Sequence, residues 1–455
     1  MTGHTERLLE RLTRRSQAVN RVPAVQVALH RGDRPLWTFQ VGASGTATPL
    51  DTRTQFRIGS VTKTFTAVMI MQCRDEGLLD LDDPVSAHLN VPKHGELTLR
   101  RLLSHTSGLQ REPYGDIWDT LETPSEQQAL QDLARAERVL PPARRFHYSN
   151  LGFGLLGLVA AAKRDGDWAG ALSDKILRPL GLADTAPAPS ERAAVGYLVD
   201  AYSDHARPEP VTDLGAVGAA GQIWSTAGDM ARWAAFLADP SAVDEKGAVL
   251  SPDTLDEMTF PLTVRDERVW GAGFGLGLIL IPDQGRVLHV GHDGAMPGFL
   301  AGVYGRRGGD APAAVGAAVL GSSGTSAKLL ELPRQLIATA LEHDPPAIEP
   351  WPIGEPPDEA YRSVLGRWWG EGFEHVFSWR SGRLEARGAD APADLPPAVF
   401  VPESPDLLRT VSGREAGELL RLTRDATGQV VRMHWATYRF TRNQETFDGV
   451  WVSEP

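Results

Sequence analysis

Phe56-Arg57-Ile58-Gly59-Ser60-Val61-Thr62-Lys63-Thr64-Phe65 is the stretch on which the fold turns. Phe56 to Gly59 reads as the end of a short strand, and from Ser60 onward Val61, Phe65, Val68, Met69 and Cys73 recur at helical spacing, so Ser60 opens a helix. Residues three apart are neighbours on a helix surface, which brings the Lys63 amine to the Ser60 hydroxyl. Backbone N–H groups at a helix start favour negative charge developing beside them. An amine surrounded by apolar side chains loses its proton readily, because burial penalises the ammonium, and a neutral amine can act as base toward a serine. The chain has six lysines, and only Lys63 has a serine three residues before it. Alone the pair is a weak motif, read more readily as a capping serine beside a solvated lysine.

Two further segments give it partners. Tyr148-Ser149-Asn150 is the one place where a tyrosine is followed two residues later by asparagine. It follows the helix-breaking Pro141-Pro142 and precedes the small-residue apolar run Leu151 to Gly157, which reads as a closely packed helix. A tyrosine on such a loop can aim its hydroxyl into a cleft. A neighbouring cationic lysine lowers a phenol's pKa, so Tyr148 is expected to carry protons between nucleophile and leaving group. The Asn150 amide can bond both Lys63 and a substrate amide. His292-Asp293-Gly294 ends the strand-like Arg286 to Val290 and precedes Ala295-Met296-Pro297-Gly298-Phe299. Glycine after an edge strand lets another backbone approach, so a peptide-like substrate can add there as a further strand. The N–H groups of Ser60 and Ala295 are then the two donors to a tetrahedral oxyanion.

With these pieces in order, the chain resembles the class C β-lactamase and penicillin-binding-protein superfamily of serine hydrolases, which use Ser-x-x-Lys, Tyr-x-Asn and Lys-Thr-Gly. Leu102-Leu103-Ser104-His105-Thr106-Ser107-Gly108-Leu109, Pro179 to Leu182 and Gly218 to Met230 also resemble segments of that family, so the likeness covers about residues 20 to 342. The resemblance implies an acyl-enzyme at Ser60, acid/base work shared by Lys63 and Tyr148, and substrate binding by Asn150, His292 and Gly294. The departure is in the third motif, where His292 replaces lysine and Asp293 replaces threonine. Lysine supplies a permanent positive charge that suits a substrate carboxylate, whereas histidine at neutral pH is largely uncharged. Relatives with histidine here look like D-aminopeptidases, amidases and esterases, and that is the branch the chain resembles. Asp293 either raises the pKa of His292 or repels acidic substrates. The expected substrate is a small amide, peptide or ester, one with a D-amino acid included. The alternatives are a carboxylesterase or weak β-lactamase, and a catalytically inactive relative that binds peptides or a protein partner.

The broad bounds agree with an ordinary soluble enzyme. The chain has 455 residues, 42% of them apolar, enough for one large core and a smaller second one. Its net charge of -12 argues against nucleic acid or an anionic membrane as partner, and leaves a homo-oligomer open. The single cysteine, Cys73, falls on an apolar helix face and reads as a packed thiol. The N-terminus lacks the apolar segment of a signal peptide, and Leu151 to Ala162 is too short and glycine-rich to span a bilayer, so a cytoplasmic location is expected. No serine has glycines two residues away on both sides, no His-Glu-x-x-His occurs, and no dinucleotide fingerprint precedes a helix. Neither a cofactor nor a metal is expected.

The fold class expected is a mixed α/β (α+β) β-lactamase-like fold, with an antiparallel sheet flanked by helices and a helical lobe, followed by a small all-β barrel. Strands are expected at Val25 to His30 and Leu36 to Val41, around the turn Arg31 to Arg34. Residues from about 75 to 250 read as mostly helical. Strand patterns return at Phe274 to Ile281, Arg286 to Val290, Gly298 to Gly305 and Ala313 to Leu320, before a closing helix at Lys328 to Glu342. The domains expected are a hydrolase domain at 1–343, a proline-rich linker at 344–358, and a lipocalin-like barrel at 359–455 in which Gly366-Arg367-Trp368 resembles the opening of such barrels.

Overall fold

The computed structural model describes residues 1–32, 34–45, 49–164, 166–244, 246–309, 314–348 and 350–445. Asp33 of the expected first turn, Ala313 at the start of an expected strand and Glu349 of the expected linker lie outside them. The chain divides into two compact units, Met1–Pro346 and Ala347–Pro455.

The first unit is built on an eight-stranded antiparallel sheet. Its strands are β1 (Ala24–Arg31), β2 (Arg34–Gly42), β3 (Thr263–Val264), β4 (Gly273–Phe274), β5 (Ile279–Asp283), β6 (Val287–Met296), β7 (Phe299–Arg307) and β8 (Val315–Gly321), in the spatial order β2-β1-β8-β7-β6-β5-β4-β3. The N- and C-terminal parts of the unit therefore meet in mid-sheet, where Val27 lies opposite Val319. The central strands are apolar throughout because both faces are covered. On one face, helices α1 (Gly3–Val19) and α5 (Leu332–His343) pack Leu9, Leu332, Leu336 and Ile337 against Val25, Val27, Leu300 and Val319. On the other lie α2 (Thr62–Asp75), α3 (Asn150–Lys163) and α4 (Ala227–Ala238), whose apolar side chains form the largest core cluster.

Helix α2 is buried along its whole length from Thr62 to Cys73, so the helix that follows Ser60 runs through the core. Small residues on α3 bring a neighbouring turn close: a Cβ at Gly157 would stand 2.3 Å from Ala219 Cβ. That approach seats the Gly215–Ala220 turn beside α2, where the Ala220 carbonyl becomes available to Lys63. The expected strand Phe274 to Ile281 is two short strands, β4 and β5. Between them the N–H groups of Leu276 and Gly277 donate to Met258 and Leu103 instead of to a ladder. The expected closing helix begins as a 3₁₀ turn, Ala327–Glu331, before α5.

The second unit is a closed barrel of eight antiparallel strands, each paired with its chain neighbours, from Gly366–Gly370 to Tyr438–Thr441. Trp368, Phe377, Phe400, Trp435 and Phe440 fill its interior. Up-and-down closure with eight strands is the plan of lipocalin-like barrels. Among the described residues no helix is long and apolar enough to cross a membrane.

Candidate active site

Ser60 sits in a 3₁₀ turn, Gly59–Val61, that runs directly into α2. Lys63 Nζ lies 3.1 Å from Ser60 Oγ and donates to the Ala220 carbonyl at 2.7 Å. The Lys63 side chain is fully buried, with its amine 4.8 Å from the Tyr148 ring centre and 5.7 Å from that of Phe153. Burial holds its pKa well below the ordinary 10.5; Glu112 opposes that shift and Arg111 adds to it. An amine whose proton is held less tightly than usual therefore faces the serine hydroxyl.

Tyr148 hydrogen-bonds Ser60, so the expected trio of Ser60, Lys63 and Tyr148 is assembled. Its expected acidity is reversed. Burial raises the phenol above its ordinary 10.0, outweighing the Ser60 hydrogen bond and nearby Arg111, which pull it down. Tyr148 is thus a protonated phenol at physiological pH.

His105 fixes the ring beneath it. The imidazole is buried, stacks on Tyr148 with centroids 4.3 Å apart, and meets Phe146, Phe153 and Phe274. Its Nδ1 accepts the Ser149 N–H at 3.1 Å, so Nε2 carries the proton of the neutral ring.

Asn150 begins α3, behind Ser149, whose hydroxyl caps the helix through the Gly152 N–H at 3.0 Å. The Asn150 amide lines the cavity but does not bond Lys63 as expected. Its Nδ2 donates to Glu112 at 2.7 Å, because the Arg111 carbonyl accepts the Asn150 N–H and holds the 111–112 segment against α3.

The third segment lies on β6. His292 is buried; its Nδ1 donates to the Asp293 carbonyl, leaving Nε2 as a buried acceptor without a partner. Burial, followed by the Lys63 charge, lowers its pKa to about 3, against the smaller opposing effect of the Asp293 carbonyl. His292 is therefore neutral, and the Asp293 side chain does not raise it.

Gly294 is required by space, since a Cβ there would stand 1.9 Å from the Ile58 carbonyl oxygen and 3.2 Å from Ser60 N. Gly59, at φ +51°, meets the same strand from the other side, with its missing Cβ 2.9 Å from Ala295 N. The two glycines let the nucleophile turn lie directly on β6. Counting back from the closing pair Met296–Phe299 of the two-residue turn, Ala295 falls in a non-hydrogen-bonded pair with Leu300. Its N–H therefore points off the β7 edge, toward Ser60. The same edge is open for a substrate from His292 onward, because β5 pairs only as far as Gly291.

All of Ser60, Tyr148, Asn150, His292, Gly294 and Ala295 line one cavity of about 790 Å³, with Lys63 just beneath it. Arg111, Glu112 and His105 had no assigned part in the sequence. His105 stands in the Ser104 to Leu109 segment that resembles the family, and that was the only signal for it. Glu112 gave none, since its role comes from a loop that folds back 38 residues to reach Asn150.

A family model described as Beta-lactamase matches residues 9–342, and one described as a domain of unknown function (DUF7586) matches residues 357–442. Penicillin-binding protein 4 of Amycolatopsis lactamdurans is 31% identical over 56% of this chain and 69% of its own length. The D-alanyl-D-alanine-carboxypeptidase/endopeptidase AmpH of Escherichia coli is 32% identical over 39% of this chain and 47% of its own. The crystal structure of SurE with D-Leu superposes with a TM-score of 0.60 at 25% identity, covering 97% of this chain and 100% of that one. The chain spans about half the length of the relatives it matches in human and Dictyostelium discoideum.

Proposed function

Because this chain belongs to the beta-lactamase family, whose model covers most of its first unit, we propose that it is a serine hydrolase forming an acyl-enzyme at Ser60 on small amides, peptides or esters, with D-amino acid derivatives among them. The observation that carries this is the fully buried Lys63 amine 3.1 Å from Ser60 Oγ. In this reading neutral Lys63 takes the Ser60 proton as Oγ attacks the substrate carbonyl carbon. The N–H groups of Ser60 and Ala295 receive the oxyanion. Tyr148, a protonated phenol, hands its proton to the departing nitrogen or oxygen and regains one from the Lys63 ammonium. Water then attacks the ester at Ser60, giving its proton back through Tyr148 and Lys63, and the acid leaves.

The neutral His292 supports substrates without a free carboxylate beside the scissile bond, since no permanent cation stands where the family's lysine would be. The D-amino acid element rests on likeness to SurE, crystallised with D-Leu, and to AmpH. The test is turnover of D- and L-amino acid amides, short-chain aryl esters and a β-lactam, beside Ser60→Ala. Turnover of amides or esters that vanishes in Ser60→Ala is expected. A rate unchanged in that variant would overturn the proposal.

A further inference from the structure

Besides Ser60, the Lys63 amine bonds the Ala220 carbonyl at 2.7 Å. A lysine head rides on a flexible four-carbon stem, so the place of Nζ beside Ser60 Oγ depends on where that carbonyl stands. Ala220 ends the Gly215–Ala220 turn, and the carbonyl before it, that of Ala219, accepts the Thr66 hydroxyl at 2.8 Å. Lys63 and Thr66 are three apart on α2, so one face of the helix holds two successive carbonyls of the turn.

The foot of this loop is closed by a side chain. Gln222 Oε1 accepts the Leu214 N–H at 2.9 Å, joining the two ends of the 214–222 segment, and the same oxygen accepts a hydrogen bond from Arg57 Nη2 at 3.0 Å. Arg57 stands three residues before Ser60 on the short strand Phe56–Arg57, which pairs with Trp224–Ser225. The Ile58 N–H donates to the Ile223 carbonyl at 2.9 Å, and the Ile223 N–H to the Thr62 hydroxyl at 3.2 Å. Backbone bonds thus fix residue 222 to the nucleophile segment, and the Gln222 side chain carries that register across to Leu214. Arg57 is 2% exposed; burial lowers its pKa to about 10, against the pull of Asp213, so it is a cation at neutral pH. Asp213 also caps the turn, accepting the Gly215 N–H at 2.9 Å. A buried cation is costly unless it is hydrogen-bonded and near an opposite charge. For Arg57 the two ends of this loop supply both. Leu214, Val217, Ala220 and Gly221 line the cavity, whereas Arg57 and Gln222 do not.

We propose that Arg57 and Gln222 are positioning residues for acylation: they lock the 213–222 loop onto the nucleophile strand, which sets the Ala220 carbonyl and through it the Lys63 amine against Ser60. The proposal rests on the reading of Lys63 as base. Loss of the Gln222 oxygen frees two donors at once, the Arg57 guanidinium and the Leu214 N–H, and releases one end of the loop from the strand that carries Ser60. A displacement of about 1 Å in a reacting group is worth about a hundredfold in rate. Glutamate at this position offers the same acceptor to both donors, while methionine fills similar space with only a weak one.

The test is the single-turnover rate of Ser60 acylation by p-nitrophenyl acetate in the full chain. Gln222→Met is expected to acylate about tenfold to a hundredfold more slowly than wild type, and Gln222→Glu within about threefold of it. Because the pair works through Lys63, the loss is expected to vanish once the base is gone. Gln222→Met added to Lys63→Met should change the residual rate by less than about threefold. A residue that only stabilises the fold would slow both backgrounds alike. Arg57→Gln, which leaves the Gln222–Leu214 bond in place, is the second variant if Gln222→Met does not fold; it is expected about fivefold to tenfold slower with Lys63 present and without effect in Lys63→Met. Acylation by the folded variant within about threefold of wild type, Gln222→Glu as slow as Gln222→Met, or an equal loss in the Lys63→Met background overturns the positioning role and leaves the catalytic reading standing. No acylation of Ser60 in wild type, or a wild-type rate in Lys63→Met, overturns both.

Discussion

Replacing Lys63 with methionine separates catalysis from stability at this site. The variant keeps a side chain of similar length in the fully buried channel of α2 but removes the nitrogen that stands 3.1 Å from Ser60 Oγ and 2.7 Å from the Ala220 carbonyl. Loss of a positioned base is worth about 10²–10⁴ in rate, or about 3–5 kcal/mol of barrier. On the stability side two effects oppose each other. The Ala220 carbonyl loses a partner at a cost of about 1–3 kcal/mol, while an amine whose charged form burial penalises is no longer placed in the core. The net change is expected within about 2 kcal/mol. Its pH dependence has a definite sign. In the folded protein the Lys63 pKa lies well below 10.5, so between that lowered value and 10.5 the unfolded chain binds more protons and wild-type stability rises with pH. Lys63→Met lacks that contribution, so its stability relative to wild type is most favourable at the low end of the window and least near 10.5. The assay pairs single-turnover acylation by an activated ester with urea unfolding at pH 7 and pH 9. Acylation within about threefold of wild type would refute the role of Lys63 as base.

Two further outcomes follow from the geometry. His292 has a pKa near 3, so the pH profile of kcat/KM is expected to contain no limb at pH 6–7 that belongs to it; a limb there that disappears in His292→Gln would contradict the neutral assignment. Gly294→Ala places a Cβ 1.9 Å from the Ile58 carbonyl oxygen and should cost more than about 3 kcal/mol and abolish acylation, whereas Gly285→Ala, with nothing within 4 Å, should cost only about 1 kcal/mol for its positive φ; urea melts of the two variants that coincide would contradict the close packing of β6 on the nucleophile turn.

The part of this site legible in the sequence is the part encoded by local periodicity. Ser60 and Lys63 are one helical turn apart, Tyr148 to Asn150 mark a helix start, and His292 to Gly294 lie on a strand, so each piece could be placed before the pieces were joined. The main sheet was legible for the same reason, as were the short alternating strands of the barrel. What escaped was set by contacts distant in sequence. Asn150 was expected to reach Lys63 but is held by Glu112, on a loop whose course depends on bonds back to α3. The acidity of Tyr148 was read with the wrong sign because burial, a three-dimensional quantity, outweighs its charged neighbours. Phe274 to Ile281 carries a strand-like pattern, but Met258 and Leu103 claim the N–H groups in its middle and divide it.

The most direct measurement is intact-protein mass after brief exposure to activated esters, D-amino acid amides and a β-lactam, with peptide mapping of any adduct. The account predicts an acyl adduct on Ser60 that clears with time and is absent in Ser60→Ala. An adduct that persists in Ser60→Ala, or no adduct and no turnover with any reagent, would contradict it.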